Sequence, residues 1–257
     1  MPIDDKQKEE IKALLKSKIE GKLKKYERET SSMPFLAKLM QDTEQVAAYS
    51  FIHSLATTLG MSVYEQVSKI IASEHFDQVE TGYDVEGTIS NEENAVISRI
   101  MQEIKNKTRT ANKKEEIKII SACKQENGHK HKIRADLFLK KNGKEYYIEI
   151  KTAKPNIDVF SKSKQKLLEW IALTNKNAKT ILAIPYNPYH PEPYSRFTIQ
   201  GVLDEEEELY VADKFWDFLG GEGTYKELLE IFDEVGKEFK ERIQKKIQDV
   251  AQEKMDV

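Results

Sequence analysis

The stretch that decides the fold is Ile133-Arg-Ala-Asp-Leu-Phe-Leu-Lys140, then Lys141-Asn-Gly-Lys144, then Lys144-Glu-Tyr-Tyr-Ile-Glu-Ile-Lys-Thr152. Both flanks are short, apolar and rich in β-branched or aromatic residues. The Asn-Gly pair between them supplies the positive-φ positions of a tight hairpin. Strand side chains alternate between faces, so Glu149 and Lys151 point one way while Ile148 and Ile150 point into the core. Asp136 opens the apolar run of the partner strand, and the hairpin brings it toward the same end.

Working outward, Leu167, Leu168 and Ile171 mark one face of a helix over about 160–174, and Thr180–Pro185 reads as a further strand. Upstream, the β-branched run Ile117–Cys123 reads as the strand before the hairpin. The first third reads as helices: 4–29, then Glu44 to Leu59 ended by Gly60, then 63–75 capped by Ser62, then 91–107. Beyond the sheet come a Pro-broken segment at 185–193, an acidic run Asp204–Glu208 read as a solvated turn, and helices over 210–220 and 224–253. The order of helices, three consecutive strands, helix and strand predicts an α/β domain over 1–257. Its parts are a helical segment over 1–110, a sheet core over 111–190 and a helical segment over 191–257. Trp170 and Trp216 read as core, and Phe215-Trp-Asp-Phe-Leu-Gly-Gly221 as a packed helix with a glycine stop.

The 257 residues are 39% hydrophobic and 33% charged, with 41 Lys and Arg against 44 Asp and Glu. This excludes a disordered polyanion and a globally basic nucleic-acid coat protein. The single cysteine, Cys123, excludes a disulfide scaffold and fits a reducing compartment. The polar start (Asp4, Asp5, Lys6) does not read as a signal peptide. The longest stretch free of Asp, Glu, Lys and Arg, Val46 to Tyr64, contains seven Ser, Thr, His or Gly residues and reads as buried helix. A cytoplasmic protein that spans no membrane is expected.

Asp136, Glu149 and Lys151 put two carboxylates and an amine at the mouth of a sheet. Two adjacent carboxylates repel unless a cation lies between them, and oxygen-only ligands with open positions suit Mg²⁺. Such an ion polarises a scissile phosphate and acidifies a bound water, with Lys151 placed to hold that water and offset charge on phosphorus. The solvated face of an amphipathic strand would carry the same residue types. The flanking apolar residues, the intervening hairpin and the helix and strand that follow favour a site. From His129 to Lys154 there are eight Lys or Arg against three Asp or Glu, and Lys105, Lys107, Arg109, Lys113 and Lys114 precede them. A local basic surface of this kind attracts a polyanion. His129 and His131 can share a strand face, but no third His or Cys lies near them in sequence to complete a zinc site.

On these residues the sequence resembles the type II restriction endonucleases of the TdeIII type, within the PD-(D/E)xK superfamily. The matching pieces are Thr58-Leu-Gly60 with Tyr64-Glu65, Ala135-Asp136 (alanine where the motif has proline), and Glu149-Ile-Lys151-Thr-Ala-Lys154-Pro-Asn156. Pro185-Tyr-Asn-Pro-Tyr189 and Phe215–Gly221 complete the set. The resemblance implies a restriction-endonuclease-like core, a mixed central sheet of about four to five strands flanked by helices, with helical elaborations at both ends. It implies Mg²⁺-dependent cleavage of double-stranded DNA at a short specific site by a homodimer, with a companion DNA methyltransferase as functional partner. It places Asp136 and Glu149 as metal ligands with Ile150 in the same set, Lys151 as the catalytic lysine, and Glu65 as a further acid. Arg134, His131, Lys154, Asn156, Lys164 and Gln165 are the candidates for DNA contact. A nuclease reading DNA structure and a DNA-binding module without cleavage are the alternatives.

Overall fold

The structure, a computed structural model, describes residues 2–26, 33–174, 178–196 and 199–252. Among these, five strands form one sheet in the order β1 (Gln78–Ile89), β2 (His129–Lys141), β3 (Lys144–Ile150), β4 (Lys179–Ile184) and β5 (Leu209–Val211). The first three are antiparallel neighbours, and β4 and β5 run parallel to β3. The mixed α/β sheet is thus as expected. The hairpin turns at Asn142 (φ 50°) and Gly143 (φ 77°), the left-handed conformations that Asn and Gly tolerate.

Several elements differ from the sequence reading, among them β5, a short strand where the helix over 210–220 was expected to begin. Ile117–Cys123 is not a strand. It belongs to helix α6 (Lys113–Ser121), whose N-cap Asn112 accepts from the Glu115 amide and which buries Lys113, Glu116 and Ile120. That helical spacing outweighs the β-branched run. The missing strand is β1, inside the segment expected to be helical. Its sequence QVETGYDVEGTI is polar, and Val85 and Ile89 are its buried residues. It is held by eleven register partners on β2, from Gln78↔Lys140 to Ile89↔His129, so backbone pairing rather than apolar patterning makes it a strand.

By its contacts the chain divides into two units, Met1–Val67 with Lys226–Val257, and Ser68–Tyr225. The first holds α1 (Asp5–Lys25), α2 (Pro34–Met40), α3 (Thr43–Thr58) and the body of α9 (Thr224–Gln252). Residues 27–29 and 253, at the ends of two expected helices, lie outside the described residues. Asp4 and Gln7 form a reciprocal capping box at the start of α1. Gly60 does not end α3: the helix runs on through a π-helical stretch, Leu59–Val63, into α4 (Tyr64–Ala72). Ser62 caps no helix and accepts from Lys18 Nζ at 3.1 Å. Lys12–Glu234 (2.8 Å), Lys16–Glu238 (2.6 Å) and Arg242–Glu20 (3.3 Å) advance in step along α1 and α9, so the two helices lie side by side and parallel.

The second unit holds the sheet with α5 (Asn91–Lys105), α6, α7 (Ile157–Leu173) and α8 (Asp213–Gly220). Helix α7 covers one face, burying Phe160, Leu167, Leu168, Trp170 and Ile171. Each such side chain contributes about 1.5–3 kcal/mol by leaving water. Trp170 lies 6.1 Å from Tyr147 of β3. The opposite face carries Tyr146 and Tyr210, both packed on Phe218 of α8 at 5.4 Å. This two-sided cover explains why β4 runs Ile-Leu-Ala-Ile over its last four residues, all buried.

Gly82 lies in β1 between the pairs Thr81↔Leu137 and Tyr83↔Ala135, with φ +64°. A Cβ there would collide with the guanidinium of Arg134 on β2. Gly82→Ala is therefore expected to lower stability by about 1–2 kcal/mol through the left-handed backbone alone and to displace Arg134. Urea unfolding would measure the first effect and a crystal structure of the variant the second.

Candidate active site

The paired part of the β2–β3 ladder ends at Leu137↔Ile148. Beyond that pair a side chain replaces main-chain pairing: Asp136 Oδ2 accepts from the Ile150 amide, next to Glu149, at 2.7 Å. The Lys151 amide donates to Ala183 O on β4 at 2.9 Å. The strand carrying Glu149, Ile150 and Lys151 is thus fixed to β4 as it parts from β2, and the two carboxylates sit in the fork.

Glu149 is 4% exposed. Its Oε1 lies 2.5 Å from Lys151 Nζ and its Oε2 lies 3.2 Å from Lys166 Nζ, on α7. The second contact is at ion-pair distance but lacks hydrogen-bond alignment, and Glu149 Oε2 is a buried oxygen with no hydrogen-bond partner. The Ile150 side chain is buried, as alternation predicts. Lys166 was not among the expected site residues. The signal available in the sequence was its place four residues before Trp170, whose ring lies 5.0 Å from its ammonium. Among the described residues no three His, Cys, Asp or Glu side chains converge on one point. Two carboxylates, one with an under-satisfied buried oxygen, are a donor set that fits a hard, oxygen-seeking dication which keeps several waters.

Glu65 is on α4, in the other unit. Of the residues expected to meet DNA, Arg134 is exposed on β2 and lies over Gly82. Lys154 is exposed, with its ammonium 5.4 Å from the Tyr189 ring. Asn156 is the N-cap of α7, its side-chain oxygen accepting from the Val159 amide at 2.9 Å. Gln165 donates to Glu169 at 2.7 Å. His131 is half-buried opposite Gly87. Its neighbour Lys132 pairs with Asp84 (2.9 Å) and Glu86 (3.0 Å) of β1, so the strand missed in the sequence neutralises part of the basic surface read from it.

Lys164 requires a correction. It is fully buried and cannot reach DNA from this position. Its ammonium lies 2.6 Å from Glu116 and 2.7 Å from Glu208, both also fully buried. The acidic run is therefore not simply a solvated turn, because its last member is an internal counter-ion. Burial pushes the Glu116 carboxyl above the ordinary carboxylate range, with Lys164 opposing. Lys113, expected on the basic surface, is buried and donates to Thr180 O at 2.5 Å and Oγ1 at 2.9 Å. Burial lowers its ammonium to about 8, with Glu208 opposing. Arg109 is held between Glu103 and Glu115, each at 2.7 Å.

The Pro185–Tyr189 segment supports the strand exit. Tyr189 lies under Lys154, and Tyr194, 5.8 Å from Tyr189, donates to Ala153 O at 3.0 Å. In the other distinctive segment, Trp216 donates to Pro185 O at 2.7 Å and Gly221 ends α8 at φ +94°. Both are packing roles.

Such a sheet, with an acid on each of two neighbouring strands and a lysine two residues beyond the second acid, is a nuclease-like arrangement. A profile of the family "Type II restriction endonuclease, HinfI" matches residues 3–236. The type II restriction enzyme HgiEI of Herpetosiphon aurantiacus is 30% identical over 196 residues, 72% of this chain and 71% of that protein. HgiCII of the same organism is 29% identical over 206 residues, 77% and 75%. MjaII of Methanocaldococcus jannaschii is 27% identical over 212 residues, 75% of this chain and 56% of that protein. The chain belongs to the HinfI family of type II restriction endonucleases. The TdeIII-type affinity expected from the sequence is a finer assignment than these matches carry. No helix among the described residues is long and apolar enough to cross a membrane.

Proposed function

We propose that this restriction endonuclease hydrolyses phosphodiesters in double-stranded DNA at a short specific sequence, through a PD-(D/E)xK site made of Asp136, Glu149 and Lys151. The observation that carries the reading is the fork itself, where Asp136 on β2 accepts from the Ile150 amide, next to Glu149, and Lys151 Nζ lies 2.5 Å from Glu149. The carboxylates of Asp136 and Glu149 would hold Mg²⁺, with Ile150 in the same set. Bound there, the ion would supply charge for a phosphate oxygen and acidity for a water. Lys151, which follows the last residue of β3 and is about one-third exposed, is placed to leave Glu149 for a DNA phosphate. Arg134 and Lys154 are exposed cations on the same strands and their exit, suited to backbone contact. Cleavage leaves a 5′-phosphate and a 3′-hydroxyl.

The reading extends to a homodimer, because a two-fold axis gives each strand of a palindromic site its own active site. It also includes a DNA methyltransferase that protects the host's own sites, and a cytoplasmic location, where that DNA is found.

A sequenced plasmid incubated with Mg²⁺ is expected to give discrete fragments with wild-type protein and none with EDTA. Asp136→Asn is expected to slow cutting by about 10²–10³-fold, the cost of losing one pre-placed charge from a reacting site. A smear of products would count against site specificity. Full cutting in EDTA would overturn the metal requirement.

A further inference from the structure

Glu149 is one carboxylate with two lysines, one on each oxygen, and they are held differently. Lys151 lies beyond β3 with a third of its side chain exposed. Lys166 is 23% exposed and rests on Trp170, one helical turn along α7. Trp170 is fully buried, donates to Ile133 O at 3.4 Å and packs on Tyr147. Lys166 therefore reaches Glu149 along a rigid aromatic shelf, and a cation over an indole face gains attraction that holds it there. Asp136 and Glu149 together balance the two ammonium groups.

We propose that Lys166 is a second lysine of the active site, a positioning residue that stays on Glu149 Oε2 and fixes the carboxylate while Lys151 turns from Oε1 to the DNA phosphate. This rests on the function proposed above. It also fixes the sign of two effects. Lys166 is a positive charge beside the place a dication would take, so it weakens binding of that ion. At the same time it orients the carboxylate on which cutting depends. Removing it is expected to tighten the metal and slow the reaction together. A damaged pocket would loosen the metal instead.

The test uses the full chain with Lys166→Met, which keeps length and loses charge, Lys166→Arg, and the exposed Lys162→Met as control. Mn²⁺ titration by electron paramagnetic resonance, without DNA, is expected to show about tenfold tighter binding in Lys166→Met, from relief of like-charge repulsion. Single-turnover cutting with Mg²⁺ at saturating DNA is expected to slow about a hundredfold, with the half-saturating DNA concentration unchanged, as for an interaction used in the transition state and not in binding. Lys166→Arg should recover most of the rate, and Lys162→Met should change neither quantity. A wild-type cutting rate in Lys166→Met would overturn the proposal, and so would slower cutting with weaker Mn²⁺ binding. If Lys166→Met does not fold, Lys166→Arg decides: loss of cutting in that folded, charged variant would overturn the assignment. If wild-type protein cuts no DNA, the function proposed above fails, while the Mn²⁺ titration still decides whether Lys166 bears on Glu149.

Discussion

Lys151→Ala is expected to lower DNA cleavage by about a thousandfold, the scale seen when one pre-placed charge is removed from a transition state, while leaving the fold in place. The fold should survive because the Lys151 backbone, not its side chain, ties this segment to the sheet, through its amide on Ala183 O. Glu149 also keeps a cation after the change, since Lys166 remains 3.2 Å from its other oxygen. Because Glu149 is buried while Lys151 is about one-third exposed, losing the pair should cost about 1–3 kcal/mol in stability. Single-turnover cleavage and thermal melting on one preparation would check both halves. A variant that cuts at the wild-type rate would remove Lys151 from the chemistry. One that melts far below wild type would show that its main role is holding Glu149 in place.

Lys164→Ala is expected to be the most destabilising single change in the sheet unit, by about 3–5 kcal/mol, because it leaves buried carboxylates without their cation. Lys164 joins three separate segments: its own helix α7, Glu116 on α6, and Glu208 just before β5. Glu208 Oε2 also accepts from the Asp204 amide at 3.0 Å, and Asp204 Oδ2 from the Lys113 amide at 3.1 Å, so the loss would spread through a connected network. The effect has a definite pH dependence. In the variant Glu116 loses the ammonium that favours its charged form, and burial, which already raises its carboxyl above the ordinary range, is left unopposed by that cation. Such a group binds more protons when folded, so stability falls as pH rises through that window. The deficit relative to wild type should therefore shrink as pH is lowered toward the ordinary carboxylate range. Denaturant unfolding of both proteins at several pH values would measure it. A deficit below about 1 kcal/mol at every pH would mean that the triad adds little.

Local chemistry made the hairpin legible. Asn142-Gly143 tolerates the left-handed backbone that a two-residue hairpin turn requires, and strand side chains alternate with period two, so β2, β3 and the shared neighbourhood of Asp136, Glu149 and Lys151 could be placed from residues alone. Helices α5 and α7 were also legible, the first expected over 91–107 and found at Asn91–Lys105, the second through its apolar stripe. Strand β1 was not legible, because its stability comes from pairing along β2 and not from its own mostly polar side chains. Nor was α6, whose β-branched residues suit a strand until Lys113 and Glu116 find buried partners.

The site divides along the same line. Spacing within one hairpin was enough to bring the proposed acid pair and the proposed catalytic lysine together, because neighbouring strands carry such residues in fixed register. Only the tertiary structure decided the roles of the lysines on α7. Lys164 and Lys166 are two residues apart on one helix, about 200° around its axis at 3.6 residues per turn. One meets Glu116 and Glu208 in the interior, while the other meets Glu149 at the fork. The charge of a lysine is written in the sequence, but its partner is set by which elements pack against each face of its helix, and those elements come from distant parts of the chain.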